Sequence, residues 1–88
     1  MTNPPRFILL TQDHCPGCER FKLMLKGPLK GAFDTQIETV HRESTASEFE
    51  RWAEQYQIQA TPALIDRESG EVMRTPGGLG EVKNFLSR

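Results

Sequence analysis

Hydrophobic positions along the chain fall into segments with two different periods. In Arg6 to Gln12 (RFILLTQ), four successive apolar residues, Phe7 to Leu10, predict a short strand buried on both faces. Phe21, Met24 and Leu25 then recur at helical spacing, with Cys18 three residues earlier on the same stripe. Pro16 suits the first turn of that helix, where its missing N–H has no intrahelical partner, and Gly27-Pro28 ends it. Thr35 to Arg42 (TQIETVHR) is the second strand candidate, resting on Ile37, Val40 and its β-favouring threonines. Thr45-x-x-Glu48 reads as a capping box, followed by Phe49, Trp52, Ala53 and Tyr56 at i, i+3, i+4 and i+7. That spacing assigns Trp52 and Tyr56 to the core rather than to a binding stripe. PALID and EVMR, separated by RESG, predict a hairpin with Gly70 in its turn. Gly77-Gly78 opens a last helix with Leu79, Val82, Phe85 and Leu86 on one face.

The predicted order is β-α-β-α-β-β-α, an α/β arrangement in one domain spanning residues 1–88. The β-α-β part calls for a parallel pair joined by a right-handed crossover, and the hairpin adds antiparallel strands. The result is a four-stranded mixed sheet flanked by helices on both faces. Eighty-eight residues suit one small domain and leave little room for a second core.

Composition narrows the partners. The chain is 36% hydrophobic and 26% charged with a net charge of −1, as in ordinary soluble domains. Its 11 basic and 12 acidic residues are interspersed without a basic run, which argues against nucleic acid as a partner. The apolar run Phe7 to Leu10 is too short for a signal-peptide core or a membrane span. A cytoplasmic monomer with no membrane association is therefore expected, in a compartment that keeps thiols reduced.

Cys15 and Cys18 are the only cysteines, and they stand where the first strand gives way to the first helix. A sulfur at a helix N-cap faces unpaired N–H groups and the positive end of the helix dipole, which favour the thiolate and so lower the thiol pKa. Cys18, one turn further in, is placed to attack a mixed disulfide formed at Cys15. A metal or iron–sulfur carrier using the same C-x-x-C is the competing reading. A structural zinc ion wants four ligands, and the chain offers only these cysteines, His14 and His41, with His14 adjoining Cys15. His14 stands equally between a role in tuning Cys15 and that of a solvated loop residue. His41 lies in the second strand with no identifiable acidic partner, and no role is expected of it.

These residues resemble the thioredoxin superfamily over most of the chain. HCPGC matches its C-x-x-C site, and YQIQATPALIDRESGEVMRTPGGLGEVKNFL resembles its C-terminal half, with Thr61-Pro62 at the position of the family's cis-proline. The chain lacks thioredoxin's additional first strand and helix. Its C-P-G-C site and its Leu9, at the place of thioredoxin's buried acid, look more like a compact glutaredoxin. Glutaredoxins usually carry an aromatic residue where Gly17 stands and often a lysine where Gln12 stands, and an Asp-containing loop commonly follows their Gly-Gly. The resemblance implies a thiol–disulfide oxidoreductase acting on disulfide-containing proteins or glutathione mixed disulfides. Cys15 and Cys18 would be catalytic, and Thr61, Pro62, Gly77 and Gly78 would contact substrate. It implies no tightly bound cofactor, with glutathione or a thioredoxin reductase as electron donor. A redox-inert binding subunit built on the same scaffold is the alternative from another class.

Overall fold

The computed structural model describes residues 5–74 and 78–87. It is an α/β structure with the elements β1 (Phe7–Thr11), α1 (Pro16–Lys26), β2 (Ile37–His41), α2 (Ala46–Gln55), β3 (Ala63–Asp66), β4 (Val72–Arg74) and α3 (Leu79–Leu86). The four strands form one mixed sheet in the order β2-β1-β3-β4. β1 runs parallel to β2, with Thr11 opposite His41, and antiparallel to β3, which pairs antiparallel with β4.

All five residues of β1 are buried, which is why its apolar positions are contiguous rather than alternating. Phe7, Ile8, Leu9 and Leu10 are each almost wholly removed from solvent, a burial that stabilises by about 1.5–3 kcal/mol per side chain. Alternation along the strands sorts the core into two layers. On one face Phe7, Leu9 and Leu64 meet Phe21 and Leu25 of α1 and Val82, Phe85 and Leu86 of α3. On the other, Ile8, Leu10, Val40, Ala63 and Ile65 are covered by Phe49, Trp52 and Ala53 of α2, with Tyr56 just beyond it. Trp52 and Tyr56 are half-buried: they pack against this layer and stack on each other with ring centroids 6.1 Å apart.

Three local expectations need correction. Thr35 and Gln36, read as the start of the second strand, belong instead to a 3-10 turn over Asp34–Gln36, and β2 begins only at Ile37. Thr45 does occupy the N-cap of α2, but its hydroxyl donates to the His41 carbonyl at 3.0 Å and no capping box forms. Leu79 is 40% exposed, because as the first residue of α3 it lies beyond the edge of the layer that Val82, Phe85 and Leu86 fill.

The hairpin end is held by a charge pair. Asp66 is buried and accepts from Arg6 Nε at 3.1 Å and Nη2 at 3.0 Å, and from the Glu68 N–H at 3.0 Å. Burial alone would push the Asp66 carboxyl up, but the bonds from Arg6, Glu68 and Ser69 outweigh it and hold it below its ordinary value. No helix among the described residues is long and apolar enough to cross a membrane.

Candidate functional site

The site begins where β1 ends. Three residues, Gln12, Asp13 and His14, carry the chain from β1 to Cys15, and His14 takes a left-handed backbone with φ 55°. Cys15 is the N-cap of α1 in an extended conformation, and Pro16 is the first helical residue. The cap is made by sulfur: Cys15 Sγ accepts the Cys18 N–H at 3.1 Å. One of the helix's unpaired donors is thereby aimed at the atom on which charge develops in a thiolate. The sulfurs of Cys15 and Cys18 lie at disulfide-bonding distance, with Cα atoms 5.2 Å apart. Both cysteines are buried, but Cys15 keeps 8% of its surface exposed and Cys18 none, so Cys15 is the more accessible residue of the two.

The segment before β3 closes over the pair. The Thr61-Pro62 bond is cis, and the Thr61 hydroxyl donates to Cys15 Sγ at 3.5 Å. Pro62 is buried, and its ring lies so close to Gly17 that a Cβ there would stand 3.1 Å from Pro62 Cδ. Glycine between the cysteines therefore permits α1 and the proline to meet. A cavity of about 390 Å³ opens beside Thr61, with Phe49, Ala53 and Ile58 as apolar lining and Gln12 and Arg42 at its polar side. Arg42 Nη1 donates to Gln12 Oε1 at 3.2 Å.

Of the residues singled out in the sequence, Cys15, Cys18, Thr61 and Pro62 are brought together here. Gly78 is the exposed N-cap of α3, where an added Cβ would meet nothing within 4 Å. Gly77 lies outside the described residues. His14 is exposed, and His41 turns toward other partners. Among the described residues neither histidine forms a group of three possible metal ligands with the two cysteines.

His41 was expected to have no acidic partner, and this is corrected by the fold. Its Nε2 lies 2.9 Å from Asp13 Oδ1 and 3.8 Å from Glu43 Oε1, while its Nδ1 lies 2.8 Å from the buried Thr11 hydroxyl. Glu43 also accepts the Asp13 N–H. In sequence, 28 residues separate Asp13 from His41, and only the parallel register of β1 and β2 unites them. The signal was the shared position of Thr11 and His41 at the exits of two adjacent parallel strands. No family model matches the chain, and no curated protein or solved structure matches it.

Proposed function

We propose that the protein is a cytoplasmic thiol–disulfide oxidoreductase with a thioredoxin-like fold in the compact glutaredoxin form. The observation that carries this reading is Cys15 Sγ at the N-cap of α1, accepting from both the Cys18 N–H and the Thr61 hydroxyl. Two donors on one sulfur favour its thiolate, and such a sulfur beside a second, wholly buried cysteine is the arrangement that disulfide exchange requires.

In the reaction, the Cys15 thiolate attacks one sulfur of a substrate disulfide, forming a mixed disulfide and releasing the other sulfur as a thiolate that takes a proton. Cys18, deprotonated, then attacks Cys15 Sγ. The Cys15–Cys18 disulfide forms, the second substrate thiol leaves, and two electrons have passed from the dithiol to the substrate. Glutathione or a thioredoxin reductase returns the dithiol by the reverse chemistry. The cavity beside Thr61 takes the part of the substrate that flanks its reactive sulfur.

The test uses reduced wild-type protein with insulin, and the Cys18→Ser variant. Wild type reduces the insulin disulfides, whereas Cys18→Ser accumulates a covalent complex that dithiothreitol dissolves. A Cys18→Ser protein that turns over insulin like wild type refutes the two-cysteine mechanism. Recycling by glutathione is then compared with recycling by a thioredoxin reductase to identify the donor.

A further inference from the structure

Asp13, His41 and Glu43 form a cluster of titratable side chains in which Asp13 lies on the loop that delivers Cys15, while His41 ends β2 and Glu43 follows it. Both nitrogens of His41 are engaged. Nε2 faces two carboxylates, which only accept, so that nitrogen carries the proton donated to Asp13; in the neutral ring Nδ1 then accepts the Thr11 hydroxyl. Thr11 is fully buried, so the ring is anchored to the sheet on one side and holds Asp13 on the other. Asp13 is also held by its backbone, through Glu43.

Asp13 stands two residues before Cys15, the N-cap of α1, on the loop that leads into the helix. A carboxylate released there is drawn to the same positive helix end and the same N–H groups that stabilise the thiolate. While Asp13 is bonded to His41, the Cys18 N–H belongs to Cys15 Sγ. Resting on the oxidoreductase reading above, we propose that His41 is a positioning residue for Cys15. It acts through Asp13, keeping a competing carboxylate on the β2 side of the loop and off the N-terminus of α1.

The experiment measures two properties that need no turnover: the iodoacetamide alkylation rate of Cys15 at neutral pH in the reduced protein, and the Cys15/Cys18 redox equilibrium. His41→Ala should slow alkylation by about threefold to tenfold. The dithiol–disulfide equilibrium constant should shift about fivefold toward the disulfide, making the protein more reducing by about 20 mV. His41→Gln, whose amide reaches to the place of Nε2, should restore most of both properties; His41→Asn, which reaches only as far as Nδ1, should not. In an Asp13→Ala background, His41→Ala should change neither.

Wild-type rate and potential in His41→Ala, with only the melting temperature lowered, would overturn the proposal. So would equal behaviour of the Gln and Asn variants, which are compared directly if His41→Ala does not fold. The His41→Ala effect must require Asp13, so an undiminished effect in the Asp13→Ala background also refutes the proposal. Failure of wild type to reduce insulin refutes the oxidoreductase reading instead, since alkylation and redox titration are read independently of it.

Discussion

The Thr61 hydroxyl donates to Cys15 Sγ across 3.5 Å, although 46 residues separate the two in sequence. The bond joins the start of the β3 hairpin to the cap of α1, so the loop that shields the sulfur also polarises it. A second donor on the sulfur strengthens as charge develops there.

Replacing Thr61 with Val keeps the side-chain shape and removes this donor. A hydrogen bond of this kind contributes about 0.5–1.5 kcal/mol, so Cys15 alkylation at neutral pH should slow by about twofold to tenfold. Thr61→Ser retains the hydroxyl and should react nearly as fast as wild type. Peptide mapping after a timed iodoacetamide pulse reads both, and equal rates for Val and wild type would remove Thr61 from the site.

Gly17 meets Pro62 so closely that any side chain must displace one of them. Gly17→Ala gains up to about 1 kcal/mol in helix preference, which the contact offsets. The melting temperature should therefore change little. Insulin reduction should fall more than Cys15 alkylation does, because the proline segment that substrate approaches has moved. Equal changes in the two rates would show that the Gly17–Pro62 contact does not matter to substrate.

Asp66 links stability to pH. Its carboxyl titrates below its unfolded-state value, so its contribution is present in full above about pH 4. That contribution is lost as pH falls through the lower folded value. Asp66→Asn removes the charge that Arg6 pairs with and should cost about 1.5–3 kcal/mol at neutral pH. The difference from wild type should shrink below pH 4, as measured by urea unfolding across the acid range. A difference independent of pH would mean that packing, not charge, is what Asp66 supplies.

Phe85 packs on Phe7 with ring centroids 5.8 Å apart, and this contact fastens α3 to the central strand. Phe85→Ala opens a cavity in that layer and should cost about 3–5 kcal/mol. Loss of about 1 kcal/mol or less in denaturant unfolding would show that α3 adds little to the core.

The order of elements is legible in the chain because that information is local. Contiguous apolar residues mark β1, a 3.6-residue period marks α1 and α2, and Gly27, Gly70 and Gly78 punctuate where the structure ends a helix, turns a hairpin or starts a helix. Cys15 at a helix N-cap was legible for the same reason: Pro16 is compatible with only the first turn. Contacts that depend on strand register and on competition between partners emerge only in the fold. Nothing near Thr45 reveals that its hydroxyl turns back to the His41 carbonyl instead of capping α2. Leu79 carries the right spacing for the core, yet the layer ends one turn short of it. His41 gains Asp13 because two parallel strands end side by side, and Asp66 gains Arg6 from 60 residues away because β3 folds back on β1. Such partners are chosen by chain segments whose separation in sequence says nothing of their distance in space, and each hydrogen bond is settled only when the sheet has set its register.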